Sequence, residues 1–314
     1  MKTISVMIPT YNEEENIVPI TQAVIEVITK ELPAYDYEIV IIDNCSQDKT
    51  RSLIKELCAG NPKIKAILNV TNFGQFNSPF YGLCQTSGDC TISICADFQD
   101  PVELIPTFVH EWENGYKIVC GVKTSSKENP IVYTARTIYY KLIHKFSEVD
   151  MIEHFTGFGL YDKSFIHLLN QLNDSMPFIR GIVAEYGFKR KLVEYEQPKR
   201  RAGKSSNNFM TLYDAAMLSF TSYTKVGLRI ATFIGAFAAF VSIIVAIVYL
   251  IIKIANWNTM PWGTAPIMIM VCLIGAVQLL FIGVIGEYVL NINKRVMNRP
   301  LVVEEERLNF EEQK

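Results

Sequence analysis

Between Arg229 and Lys253 the chain runs for 23 residues without a charge, IATFIGAFAAFVSIIVAIVYLII, and between Lys253 and Glu287 it runs for 33 more. No other feature narrows the fold as much. A helix needs roughly 20 apolar residues to cross the hydrocarbon core of a bilayer. The two stretches therefore predict a hairpin of membrane-spanning helices at about 230–252 and 265–288, within a segment 229–292. Lys225 and Arg229 precede the first stretch, and Lys294, Arg295 and Arg299 follow the second. The loop 253–264 between them carries only Lys253 and holds Trp257 and Trp262. Positive charge on the outer flanks puts both ends of such a hairpin in the cytoplasm, with the tryptophans at an interface. No signal peptide is expected, because Ile4–Ile8 is too short and the acidic YNEEEN follows at once. The expected arrangement is a multi-pass protein of the cell membrane with a cytoplasmic domain over 1–206 and a cytoplasmic tail over 293–314. The tail's EEERLNFEEQK reads as a solvated end without a role.

The remaining composition excludes more than it identifies. A net charge of −2 over 314 residues gives no basic field for nucleic acid. The seven cysteines show no paired spacing, so they read as reduced thiols of a cytosolic domain rather than as a disulfide or zinc framework. Two further segments, 131–147 (IVYTARTIYYKLIHKF and its end) and 207–228 (NNFMTLYDAAMLSFTSYTKVGL with its flank), are amphipathic, aromatic-rich and close to basic residues. Both can lie in a membrane interface or pack on the soluble domain; the second leads straight into the first apolar stretch, which favours the interface.

Within the soluble part, short apolar runs alternate with amphipathic segments. ISVMI (4–8), EIVII (38–42), KAIL (65–68), TISICA (91–96) and KIVCGV (117–122) read as strands, and 13–30, 48–59, 75–87 and 101–114 as helices. Ser46 or Asp48 is expected to cap the second helix, and Asp100 before Pro101 is a candidate cap for the fourth. Continuous apolar strands of this kind belong to an α/β domain with a mainly parallel sheet covered on both faces. In such sheets ligands bind beyond the carboxyl ends of the strands. Polar clusters fall at four successive ends: PTYNEEEN, DNCSQDKT, NVTNFGQ and ADFQD. That rim is the expected site.

PTYNEEENI, IIDNCSQDKT, NFGQ, ADFQDP and RRAGKSSNNF, taken in order, resemble the motifs of family 2 glycosyltransferases of the GT-A fold. The likeness is strongest to the membrane-anchored polyprenyl-phosphate group, which includes dolichyl-phosphate mannose synthase and the bactoprenol glucosyltransferases, and it covers nearly the whole chain. The resemblance implies that Pro9, Tyr11, Glu13, Asp43 and Asn72 hold the nucleotide, with Asp43 on the base. It implies that Asp97, with Gln99 nearby, binds Mg²⁺ or Mn²⁺ bridging the donor diphosphate. A hard cation held by one or two carboxylates, phosphate oxygens and water suits that chemistry. Arg200 and Ser205 match R-x-x-G-x-S, with Arg201 and Lys204 alongside. Arg200 and Arg201 are then catalytic candidates, and Arg136, Arg200, Lys204 and Ser205, with Lys123, candidates for the acceptor phosphate. A basic cluster beside a membrane anchor can equally hold anionic headgroups without specificity.

Two departures stand out. Where relatives write D-A-D this chain has Cys95-Ala96-Asp97, and a thiol is a poor ligand for a hard cation. Where relatives carry an acid in G-D-F-R-L, TGFGLYD offers only the offset Asp162. A lipid phosphate with a second pKa near 6 is already largely ionised, so it needs positioning more than a general base. The resemblance implies inverting transfer of one sugar, from a UDP-linked donor, to polyprenyl phosphate at the cytoplasmic face, as in cell-envelope glycosylation; a homo-oligomer is compatible with it. Two alternatives stay open: a processive polysaccharide synthase, disfavoured by the few spans and the missing Q-x-x-R-W, and a non-catalytic nucleotide-sugar-binding subunit.

Overall fold

The computed structural model describes residues 1–125, 149–172, 174–202, 209–224, 226–255, 264–297 and 299–310. The five apolar runs become strands β1 (Thr3–Thr10), β2 (Asp36–Asp43), β3 (Ile64–Asn69), β4 (Cys90–Ser93) and β5 (Ile118–Ser125). Between them lie helices α1 (Ile17–Glu31), α2 (Thr50–Gly60), α3 (Gly74–Cys84) and α4 (Ile105–Glu113). The chain continues through β6 (Phe155–Asp162), α5 (Lys163–Gln171), α6 (Ile179–Glu185) and β7 (Arg190–Glu196). It ends with α7 (Phe209–Tyr223), α8 (Val226–Ala255), α9 (Thr264–Val296) and β8 (Glu304–Leu308). All eight strands join one sheet in the order β7-β5-β6-β4-β1-β2-β3-β8.

Alternate residues of each central strand feed opposite cores, and both faces are covered. Ile4, Val6, Ile8, Ile39 and Ile41 face the side where α1, α2 and α4 bury Ile20, Val24, Ile54 and Phe108. Met7, Ile42 and Ile67 face the other side, against Phe80 and Leu83 of α3 and Phe165 and Leu169 of α5. Burial on both faces is why these strands read as unbroken apolar runs.

The sheet is mixed rather than mainly parallel. β1 pairs in parallel with β2 and β4, β2 with β3, and β5 with β7. β6 runs antiparallel to both β4 and β5, and β8 antiparallel to β3. The sequence hides β6 because TGFG breaks its apolar pattern: Gly157 takes a positive φ of 105°, and a Cβ on Gly159 would lie 2.3 Å from the Val119 carbonyl oxygen.

The acidic tail is the larger correction. Instead of a solvated end, 302–310 completes the sheet. Val302 is buried, Val70 N–H donates to the Val303 carbonyl at 3.1 Å, and the Tyr81 hydroxyl donates to Glu304 at 2.7 Å. Asn309 Nδ2 donates to the carbonyls of Cys58 at 2.7 Å and Ile64 at 2.8 Å. EEERL looks solvated because a flanking strand needs its backbone more than its side chains to pair.

Helices α8 and α9 have 30 and 33 residues; α8 contains the first uncharged stretch and α9 contains residues 264–286 of the second. Counted over the described side chains alone, no helix is long and apolar enough to cross a membrane. Many described apolar side chains of the pair are nonetheless open, among them Phe233, Phe237, Phe240 and Leu279. The end of α9 is bonded to the α/β part: Asn291 Nδ2 donates to Thr221 Oγ1 at 2.6 Å, Arg295 meets Asp174 at 3.6 Å, and Ser175 Oγ donates to the Lys294 carbonyl at 3.2 Å. The amphipathic segment expected at 131–147 lies outside the described residues.

Asp162, the offset acid, sits across from Cys90, where β4 begins, at the rim opposite the four polar loops. It caps α5, accepting from Ser164 N–H at 2.9 Å, and also takes Trp112 Nε1 at 2.7 Å and Lys117 Nζ at 3.1 Å. Burial alone would raise its pKa, but the donors from Ser164, Trp112 and Lys117 outweigh it and bring it to about 2. A carboxyl with a depressed folded pKa stabilises the fold above its unfolded pKa and loses that contribution as pH falls through the folded value. The pH-linked stability gap between wild type and D162N is expected to be about 2 kcal/mol at pH 7 and to close between about pH 4 and pH 2, read from urea melts at each pH.

Candidate active site

The loops leaving β1 and β2 are tied into one surface by reciprocal hydrogen bonds. Asn12 N–H donates to Ser46 Oγ at 2.8 Å, and Gln47 N–H donates to Asn12 Oδ1 at 2.8 Å. Glu13 N–H donates to Thr50 Oγ1 at 2.9 Å. Asp48 Oδ1 accepts Thr50 N–H at 3.0 Å, but the residue at the N-cap of α2 is Lys49, so neither Ser46 nor Asp48 holds the expected cap position. The β3 loop joins through Asn44: its Nδ2 donates to Asn72 Oδ1 at 2.9 Å and its Oδ1 accepts Phe73 N–H at 2.8 Å. Asn72 is thereby fixed in the rim, whereas Pro9 and Tyr11 line it half-buried.

Asp43 ends β2 fully buried. Its Oδ2 accepts Arg51 Nε at 2.8 Å and Ser46 N–H at 3.1 Å, while Oδ1 has no hydrogen-bond partner. Buried carboxylate oxygens are rarely left unpaired, and this one is an acceptor available to a ligand's N–H.

Asp97 lies beyond β4, 6% exposed. Its Oδ1 accepts Gln99 N–H at 3.1 Å, so Gln99 enters the site through its backbone. Its Oδ2 accepts from Arg200 Nη2 at 2.9 Å and Nε at 3.2 Å. The same guanidinium lies 3.6 Å from Glu13. Burial raises the Glu13 pKa; Asn16 and Arg200 pull it back, and the charge of Asp97 pushes it up. The segment carrying Arg200 crosses the rim: Arg201 N–H donates to the Asp97 carbonyl at 3.3 Å, Asn16 Nδ2 donates to the Ala202 carbonyl at 3.3 Å, and the Arg201 guanidinium stands 5.1 Å from the centre of the Phe98 ring. Asp97, Glu13, Arg200 and Arg201 are thus brought together. Arg136, Lys204 and Ser205 lie outside the described residues.

Asp100 is not the helix cap that its place before Pro101 suggested. A 3₁₀ turn, Val102–Leu104, starts at Pro101 without a side-chain cap. The Asp100 carboxylate instead takes Cys95 N–H at 3.0 Å and the Tyr195 hydroxyl at 3.1 Å, linking the end of β4 to β7. Cys95 is exposed at the rim, yet desolvation by the surrounding protein, with the charges of Asp100 and Asp97, pushes its thiol pKa well above the ordinary value.

A neutral thiol offers little to a hard cation, and among the described residues no group of three or more His, Cys, Asp or Glu could hold a metal. Asp97 does fit a divalent ion bound largely by phosphate and water, since a positive charge already rests on its Oδ2. Sequence reading missed Arg51, which joins Asp43 to Glu305, 254 residues away in the chain.

Residues 5–186 match the family model described as Glycosyl transferase family 2. The chain is 33% identical over 298 residues to the SfII prophage-derived bactoprenol glucosyl transferase of Shigella flexneri, covering 95% of this chain and 96% of that one. It is 31% identical over 287 residues to the prophage bactoprenol glucosyl transferase homolog of Escherichia coli K12, covering 91% and 93%. Among solved structures, glucosyl-3-phosphoglycerate synthase from Mycobacterium tuberculosis, in complex with Mn²⁺, UDP-glucose and phosphoglyceric acid, is 19% identical, covers 70% of this chain and 78% of that one, and aligns with a TM-score of 0.48.

The rim also stores backbone strain. Asn12 (φ 55°), Cys45 (φ 66°) and Phe98 (φ 60°), one in each of three site loops, adopt left-handed conformations without being glycine. Asparagine tolerates this; a cysteine or phenylalanine does so at about 1 kcal/mol or more. C45G is expected to raise stability by about 1 kcal/mol, read as an upward shift of the denaturant midpoint at unchanged slope.

Proposed function

The chain belongs to glycosyl transferase family 2 and is a glycosyltransferase, and from that premise we propose that it transfers a single sugar from a nucleotide-linked donor, UDP-linked by preference, to polyprenyl phosphate at the cytoplasmic face of a membrane. The observation that carries the reading is the meeting of Asp97, Glu13 and Arg200 at the carboxyl ends of β1 and β4. The near full-length similarity to proteins named bactoprenol glucosyl transferases supports the lipid acceptor.

In this reading Asp43, Asn72, Pro9, Tyr11 and Glu13 seat the nucleotide. Asp97, with Gln99 beside it, would hold Mg²⁺ or Mn²⁺. When bound, such an ion neutralises the charge growing on the departing diphosphate. Arg200 and Arg201 can grip phosphate oxygens, and a guanidinium fork suits that geometry. An oxygen of the lipid phosphate attacks the anomeric carbon as the bond to the diphosphate breaks, inverting the centre. No proton has to leave the nucleophile, because a phosphate monoester with a second pKa near 6 is ionised at neutral pH. Asp162, at the opposite rim, is not needed as a base.

The membrane placement rests on the two uncharged stretches and the basic flanks at Lys225, Arg229, Lys294, Arg295 and Arg299. The open apolar side chains along α8 and α9 would be an aggregation hazard in water and suit lipid contact. The bonds from Arg295 and Lys294 to Asp174 and Ser175 favour a catalytic domain on the same side as the positive flanks.

The test is a screen of nucleotide sugars with purified membranes and a short polyprenyl phosphate, the lipid product identified by mass. Wild type is expected to give a lipid-linked monosaccharide from at least one UDP-sugar. D97N is expected to lower that rate about 100-fold or more. A D97N variant as fast as wild type would remove Asp97 from the reaction, and release of free sugar without a lipid product would remove the acceptor.

A further inference from the structure

The strand that follows the helical hairpin reaches into the nucleotide side of the site. The β3–β8 register runs Leu68 to Glu306 and then Asn69 to Glu304, so it skips Glu305. Such irregularities re-aim a side chain out of the ladder. Here the Glu305 carboxylate is turned onto Arg51 of α2, accepting Nη1 at 2.7 Å. Arg51 also gives Nη2 to the Asn69 carbonyl and Nε to Asp43 Oδ2 at 2.8 Å. One guanidinium therefore joins the last strand of the sheet, the end of β3 and the buried carboxylate at the end of β2.

That arrangement fixes the rotation of Asp43. With Oδ2 clamped by Arg51 Nε and Ser46 N–H, the unpartnered Oδ1 is the oxygen left for a ligand. We propose that Arg51 and Glu305 are positioning residues for the donor's base: they orient Asp43 so that Oδ1 accepts an imide N–H of uracil type, which makes the segment after the hairpin part of the donor pocket. This rests on the nucleotide-donor reading above. Lysine at position 51 could not replace the three-way fork, because an ammonium is a point charge rather than a planar set of donors. Cytosine, whose ring nitrogen at that place accepts rather than donates, would set two acceptors against each other.

The experiment uses the full-length protein in detergent micelles and measures binding of UDP, CDP and inorganic pyrophosphate by calorimetry, with steady-state kinetics alongside. Wild type is expected to prefer UDP to CDP. E305Q is expected to weaken UDP about threefold, as befits a partly exposed ion pair, and R51K about tenfold. Both should leave pyrophosphate binding and kcat at saturating donor unchanged, with the change confined to the donor KM. E306Q, which removes the neighbouring exposed pair with Lys55 (2.6 Å), is expected to bind UDP as wild type does. A general loosening of the fold would instead weaken pyrophosphate and UDP together and lower kcat, and that pattern would overturn the proposal. So would variants that bind UDP as wild type does. A wild-type protein that binds no nucleoside diphosphate would overturn the donor reading itself, and the positioning role with it.

Discussion

Burying a lone carboxylate at the mouth of a sheet is expensive, and breaking a buried pair by removing one partner typically destabilises by several kcal/mol. Asp97 is tolerated there because Arg200 meets it from 103 residues away. That single attraction draws the segment before α7 across the rim, places Arg201 over Phe98, and brings Glu13 within reach of the same guanidinium. The charge at the centre of the proposed site is also the charge that holds this segment across it, so the proposed chemistry and the local fold share one pair of side chains.

How much of this could be read from the residues varies with the physics behind each element. The four central strands and their helices are legible because burial on both faces leaves no alternative to apolar runs, and the polar clusters fall where such strands surface. β6 is not, since its glycines serve close backbone approach rather than hydrophobic patterning. β8 is not, since five mostly charged residues resemble a solvated tail until a partner strand is known. The acids divide similarly. Asp97 and Asp43 stand in ordered motifs, but the Asp100 cap was a local inference defeated by a distant tyrosine and a backbone amide. Arg51 carried no local signal, because each of its partners is fixed by tertiary structure.

The two acids without an acceptor role mark the limits of motif reading in a useful way. Asp162 ties α4, β5 and α5 together at the far rim, and Asp100 ties the end of β4 to β7. In the proposed transfer neither is needed, because the nucleophile arrives already charged. That reading asks for positive groups around phosphate oxygens, and Arg200 and Arg201 stand on a segment that crosses the rim, while position 95 carries a thiol rather than a second carboxylate.

The pairing of β8 with β3 has a topological consequence. The two long helices are not appended to a finished domain; they are an excursion between the first seven strands and the eighth. The far end of that excursion is tied back to the α/β part, at Ser175 through Lys294 and at Asn69 through Glu304. A chain ending before the hairpin would be left with an unpaired row of amides and carbonyls along β3, the kind of open border that recruits other strands. Removing the hairpin together with everything after it would therefore expose β3 instead of merely shortening the chain.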